Sequence, residues 1–249
     1  MDYSTVADLY DLYAQIIVDV PFFLREARGC RSVLELTSGT GRLSLPLIEA
    51  GVPLTCLDNS PEMLAILRKK LHDHGLSAPV YQMDACNFSL PQKFDLIIIP
   101  FNAFSEFADP VKQHAALAAI RAHLSDGGRF ICTLHNPEIR LQSIDEQVHL
   151  LGRFDLPEDQ GTLLLSSWEK HDAETHLVRG MQFYELFDRN GSVQSKRYLS
   201  ITFYLHSKNS FESLVAAQGY RVAALYGDYD RSPFQPQTSP SMIWVLSKE

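Results

Sequence analysis

No apolar run in the sequence is long enough to span a bilayer; stretches such as Leu96 to Pro100 are far shorter than the roughly 20 residues a membrane helix needs. The first residues, MDYSTVADLYDLYAQ, lack the basic start, apolar centre and small-residue cleavage site of a secretory signal. The four cysteines, Cys30, Cys56, Cys86 and Cys132, include no Cys-x-x-Cys pair, which argues against a disulfide framework or a zinc site. Together these features lead to the expectation of a soluble, cytoplasmic protein with reduced thiols. Positive charge is also short. With 22 Lys and Arg against 30 Asp and Glu, the formal charge is -8, and phosphate-rich partners such as nucleic acid or anionic membrane are not expected. His72 and His74 are two apart and do not share a helix face, and there is no His-Glu-x-x-His, so no metal centre is expected. A Gly-x-Ser-x-Gly nucleophile elbow is missing as well.

What is present is an alternation of short aliphatic runs with helical patterns, the mark of βαβ units. Strands are expected over Ser32 to Leu36, Pro53 to Leu57, Val80 to Met83, Phe94 to Ile99 and Arg129 to Leu134. Helices are expected near Arg42 to Ala50, Pro61 to His74 and Pro110 to Leu124, with Ser60-Pro61 supplying a cap and a first-turn proline. Beyond His135 the texture changes to long alternating runs. Thr162 to His171, His176 to Asp188 and Val193 to His206 read as an antiparallel meander, its last two strands joined through Asn190-Gly191. A helix over Ser210 to Gln218 and strands over Tyr220 to Tyr226 and Met242 to Ser247 then return to the main sheet. The Pro-, Ser- and Gln-rich stretch Asp228 to Ser241 is a loop long enough to be functional.

The fold expected is α/β: a Rossmann-like, seven-stranded, mostly parallel sheet with helices on both faces, plus an inserted small antiparallel β lid. In domain terms, residues 1–135 form an N-terminal lid helix and cofactor-binding core, 136–208 the β lid for the acceptor, and 209–249 the helix and strands completing the core.

Three acids stand at or near the carboxyl ends of the first three strands: Glu35, Asp58 and Asp84. Open α/β sheets bind ligands at that rim. The first strand runs into Leu36-Thr37-Ser38-Gly39-Thr40-Gly41-Arg42, a glycine turn followed by a helix, which brings backbone amides close to a ligand. A nicotinamide dinucleotide fold would share the glycines and the second-strand acid. It wants Gly or Ala where this chain has Ser44, and it has no standard role for the third acid.

In this order the motifs resemble those of the class I S-adenosylmethionine-dependent methyltransferases, over most of the chain from Tyr3 to the last strand. The resemblance implies S-adenosylmethionine as cofactor and S-adenosylhomocysteine as product. Glu35, Gly39 and Gly41 match the family's first motif, with Thr37 where its first glycine usually sits and Thr40 between the later glycines. Either the turn needs no positive φ at Thr37, or the Thr hydroxyl contacts the cofactor. By the same resemblance Asp58 holds the ribose, Asn59 and Met63 flank the adenine, Asp84-Ala85 meet its edge, and Phe101 and Asn102 border the methionine part, Asn102 on the acceptor side.

The segment Tyr3 to Asp11 is similar to the lid helix of small-molecule N-methyltransferases that act on amino sugars and glycine, in which a tyrosine reaches the site. Tyr3 and Tyr10 are seven apart and so share a helix face, whether to serve the site or to pack on the sheet. Glu106 is a candidate to orient or deprotonate an ammonium nucleophile, and His135 is a second candidate base or a loop-bonded histidine. Trp168 and Tyr229 are candidates for an aromatic wall around the acceptor. The expectation is methyl transfer to a small molecule, with nitrogen favoured, oxygen or a non-catalytic cofactor-binding role as alternatives, and a monomer or homodimer as the assembly.

Overall fold

The structure, a computed structural model, describes residues 1–249. Eleven strands run in chain order: β1 Val33–Leu36, β2 Leu54–Asp58, β3 Val80–Gln82, β4 Phe94–Ile99, β5 Leu124–His135, β6 Val148–Asp155, β7 Thr162–Asp172, β8 Leu177–Phe187, β9 Val193–Tyr204, β10 Tyr220–Tyr226 and β11 Ser241–Lys248. Seven α-helices accompany them: α1 Ala7–Tyr13, α2 Val20–Ala27, α3 Ser44–Glu49, α4 Pro61–Asp73, α5 Pro110–His123, α6 Pro137–Arg140 and α7 Lys208–Ala217.

Seven strands form the main sheet in the order β10-β11-β5-β4-β1-β2-β3. All its pairings are parallel except those of β11, which runs antiparallel to both β5 and β10. The central strands are buried on both faces, which is why they read as continuous apolar runs rather than alternating ones. Successive residues feed opposite cores. Leu34, Leu36, Ile97 and Ile99 pack with Leu117 and Ile120 of α5 and Phe211 of α7. Val33, Leu96 and Ile98 pack with Phe22 and Phe23 of α2 and Leu64 and Leu67 of α4. The chain order reverses between β1 and β4, and such a switch point leaves a crevice at the strands' carboxyl ends.

The remaining strands form a four-stranded antiparallel lid in the order β6-β7-β8-β9. Three lid strands were expected, and β6 is the fourth. Most of its residues are exposed, so no buried face marks it in the sequence. The lid's inner face carries Leu163, Leu165, Tyr184, Leu199 and Ile201, against which Val6 and Leu9 at the N-terminus pack. The N-terminal helix begins at Ala7, and Tyr3 lies one turn ahead of it rather than on its face; the two tyrosine rings still meet edge-on, centroids 5.8 Å apart. The cap of α7 is Ser207, whose Oγ accepts the Ser210 amide at 3.1 Å, so this helix starts earlier than expected. No helix is long and apolar enough to cross a membrane.

Candidate active site

The turn after β1 is held by its neighbours. Thr37, Gly39 and Gly41 all have positive φ, at 57°, 54° and 86°. The turn therefore does require the left-handed region at Thr37, where a β-branched residue is strained. The Thr37 hydroxyl turns back to donate to the Leu36 carbonyl at 2.5 Å. Nothing stands within 4 Å of where a Gly39 Cβ would be, so this glycine leaves its backbone open to a ligand. Gly41 has a different reason: a Cβ there would lie 2.4 Å from Leu67 Cδ1 and 2.7 Å from Leu45 Cδ1, so its bare backbone lets the turn pack against α4.

Asp58, at the end of β2, ties two turns together. Its Oδ2 accepts the Gly39 amide at 2.8 Å and its Oδ1 the Ser60 amide at 2.9 Å. Burial raises its pKa above the usual carboxylate value while these amides oppose the shift. Ser60 caps α4 by accepting the Met63 amide at 3.2 Å. After β3, Asp84 Oδ1 accepts the Cys86 amide at 2.8 Å. After β4, Phe101 and Asn102 are consecutive left-handed residues, with φ of 56° and 60°. Asn102 donates its amide to Thr133 Oγ1 at 2.9 Å, while its side-chain Oδ1 is buried without a partner.

These elements enclose a cavity of about 400 Å³ between the sheet rim, the N-terminal segment and the lid. Tyr3, Tyr10, Thr37, Gly39, Asp58 and Asn59 line it, as do Met63, Asp84, Ala85, Phe101, Asn102, Glu106 and His135. Three expected cofactor contacts stand behind its wall instead. Glu35 is fully enclosed and accepts the Ser44 hydroxyl at 2.6 Å, burial lifting its pKa to about 8. Thr40 donates its hydroxyl to Asp11 at 2.7 Å, and Gly41 serves the packing just described.

Trp168 and Tyr229 do not form an acceptor wall. On β7 the inward positions are Leu163, Leu165, Ser167 and hence Glu169, so Trp168 points the other way and donates its indole N–H to the Glu146 carbonyl at 2.9 Å. Tyr229 does not line the cavity: it packs on Phe22 and Phe23, ring centroids 5.8 and 6.4 Å away, in the core that α2 and α4 share. Residues missed in the sequence line the cavity in their place: Tyr13, Met83, Arg140, Glu169, Gln182 and Phe203. Strand alternation was the signal available for Glu169 and Gln182.

Farther along the cavity wall, Tyr3 Oη donates to Glu106 Oε1 at 3.1 Å, and the α-ammonium group of Met1 lies 3.3 Å from Glu106 Oε2. Burial raises the Glu106 pKa, the ammonium and the Tyr3 bond opposing it. The charged side chains lining the cavity are Asp58, Asp84, Glu106 and Glu169 against Lys112 and Arg140. A net acidic cavity is unfit for a pyrophosphate but suits a ribose diol, an adenine amino group and a cationic sulfur. The open backbone at Gly39, the Asp58 carboxylate and the orphan Asn102 Oδ1 fit an amino-acid-bearing nucleoside, so the donor set agrees with S-adenosylmethionine.

The comparisons with known proteins agree with this geometry. Residues 33–128 match the methyltransferase-domain family. The chain is 30% identical to a glycine/sarcosine N-methyltransferase of Parasynechococcus marenigrum over 90% of its own length and 75% of the relative's. It is 32% identical to the demethylmenaquinone methyltransferase of Thermus thermophilus over 52% of its own length, spanning 62% of that relative. The sugar N-methyltransferase KedS8 from a Streptoalloteichus species superposes with a TM-score of 0.76 at 22% identity, over 98% of this chain and 93% of the other, a likeness of fold. The chain belongs to the S-adenosylmethionine-dependent methyltransferases. Hydride transfer, the competing reading of the glycine turn, is thereby set aside.

Proposed function

We propose that the chain transfers a methyl group to the nitrogen of a small-molecule amine held at Tyr3 and Glu106. The observation that carries this reading is the Glu106 carboxylate itself, set in the cavity wall with Tyr3 Oη donating to its Oε1 at 3.1 Å, because a buried carboxylate held in this way is a seat for a cationic nitrogen.

Asp58 would hold the cofactor's ribose, Asp84 and Ala85 its adenine edge, Asn59 and Met63 the adenine faces, and Thr37, Gly39 and Phe101 its methionine part. When bound, S-adenosylmethionine supplies a methyl on a positively charged sulfur, and the C–S electron pair stays on sulfur as the new N–C bond forms. Glu106 attracts the acceptor in its ammonium form, then takes one proton so that the nitrogen lone pair is free, and passes that proton to solvent. Its raised pKa makes it a stronger base than an ordinary carboxylate. The Tyr3 hydroxyl, donating to the other carboxylate oxygen, fixes the orientation. His135 is poorly suited to this step, since burial and Arg140 lower its pKa to about 4. Tyr3, Tyr10 and the lid exclude water and hold the nitrogen in place, which supplies most of the acceleration for a displacement of this kind.

Glu106→Gln should lower kcat by about 100-fold, leave S-adenosylhomocysteine affinity within twofold, and remove the limb of the pH profile on which activity rises as Glu106 ionises. An unchanged kcat would exclude Glu106 as the base.

A further inference from the structure

Arg42 follows the glycine turn directly but does not line the cavity. Its side chain is only 10% exposed and is held on several sides. Nη1 and Nη2 donate to the two carboxylate oxygens of Asp19 at 2.7 and 2.6 Å, a side-by-side pair of bonds that fixes the plane of the guanidinium. Nη1 also donates to the Ile16 carbonyl, in the linker between α1 and α2. Asp19 is wholly buried at the start of α2. A buried ion pair adds little stability over apolar residues of the same size, and its best-attested use is to fix one arrangement. Here the flat face of the guanidinium, free of those in-plane bonds, lies over the Phe101 ring, 4.7 Å from its centre.

Phe101 needs such support. It is a bulky residue at a φ of 56°, followed by Asn102 at 60°, and strain of this kind persists only where the surroundings hold it in place. Asn102 is held through its amide, which donates to Thr133 Oγ1 at 2.9 Å. The Phe101 side chain belongs to neither of the two main cores and is 37% exposed, so apolar packing does not fix its ring. Because Phe101 lines the cavity and Arg42 does not, the guanidinium backs the ring from behind the wall.

Resting on the proposed placement of Phe101 against the methionine part of the cofactor, we infer that Arg42 is a positioning residue for that part. Held in plane by Asp19, it sets the Phe101 ring as one wall of the methionine subsite and joins the turn after β1 to the turn after β4. It acts through Phe101 and touches neither the cofactor nor the acceptor.

Two ligands separate this role from general support of the fold. S-adenosylhomocysteine and 5′-methylthioadenosine share the adenosine and the sulfur, and only the first carries the amino-acid part. Each is titrated calorimetrically into the wild type, Arg42→Lys, Phe101→Ala and the double variant. Lysine keeps an ion pair with Asp19 but can neither make the paired bonds nor lie flat on the ring. Arg42→Lys is expected to weaken S-adenosylhomocysteine by about tenfold, equivalent to about 1.4 kcal/mol, the scale of a desolvated cation over an aromatic face. Methylthioadenosine is expected to stay within about twofold, whereas a merely structural role would weaken both ligands alike. Phe101→Ala is expected to weaken S-adenosylhomocysteine by at least as much, and adding Arg42→Lys to it to change the affinity by no more than a further factor of about two, because residues that act as one unit are not additive. This second comparison needs S-adenosylhomocysteine alone. Should the lysine variant fail to fold in a thermal melt, Arg42→Met with Asp19→Leu removes the pair whole and carries the same expectations. Methylthioadenosine weakened in step with S-adenosylhomocysteine, S-adenosylhomocysteine unmoved by Arg42→Lys, or full additivity with Phe101→Ala would overturn the inference and leave the placement of Phe101 intact. S-adenosylhomocysteine affinity unchanged in Phe101→Ala would instead overturn that placement, and the inference with it.

Discussion

Thr37 occupies the one position where the glycine turn departs from the family's pattern, and its φ of 57° shows that the departure is strained rather than harmless. A β-branched residue in the left-handed region costs roughly 1–3 kcal/mol, and the greater unfolded-state freedom of glycine returns roughly 0.4–1 kcal/mol of that. Thr37→Gly is therefore expected to stabilise the fold by about 1 kcal/mol in a denaturant titration; a loss of stability would mean that the hydroxyl's bond to the Leu36 carbonyl outweighs the strain. Glu35 makes a second residue-scale prediction. Its pKa is about 8 in the fold against an ordinary 4.5, so between these values the folded state keeps a proton that the unfolded chain has lost. Stability should fall as pH rises through that window, by up to about 1.4 kcal/mol for each unit. Glu35→Gln should flatten the slope between pH 5 and pH 8 in melts followed by circular dichroism, and a variant with the wild-type slope would assign the titration elsewhere.

At the scale of elements, α1 is tied to both halves of the site. Asp11 accepts the Thr40 hydroxyl at 2.7 Å and pairs with Lys70 at 2.6 Å on the core, while Asp8 pairs with Arg197 of the lid at 2.6 Å. The short helix thus spans from the glycine turn to the lid and closes the cavity between them. Asp11→Ala should speed S-adenosylhomocysteine release by about tenfold, the effect of losing about 1.4 kcal/mol of contacts, with little change in the global melting temperature because the helix adds little to the two main cores. Stopped-flow displacement measures this, and an unchanged release rate would show that α1 does not gate the site.

Elements also show which parts of the fold were legible in the sequence. The buried parallel strands and the proline-started helices α4 and α5 were, because apolar runs and capping residues are local signals. Strand β6 was not, since an exposed edge strand with no buried face carries little pattern. The acids and glycines of the rim were legible as a set, but the division between lining and supporting residues depends on packing: Gly41 meets Leu67 and Leu45, and Glu35 meets Ser44, through contacts that sequence order does not display. Trp168 was chosen for its ring, whereas the alternation of β7 puts its neighbour Glu169 in the cavity.

On the scale of the whole molecule, the switch point between β1 and β4 places the crevice at the sheet rim, and the lid sheet closes the cavity over it. We propose that these two halves bring an S-adenosylmethionine methyl group to an amine nitrogen. Incubation of the protein with methyl-labelled S-adenosylmethionine and a metabolite extract, read by mass spectrometry, tests this most directly. A labelled product in which one nitrogen has gained a methyl group is expected, absent with Asp58→Ala and strongly reduced with Glu106→Gln. A labelled product methylated only on oxygen or carbon, or no labelled small molecule from a protein that binds S-adenosylhomocysteine, would contradict it.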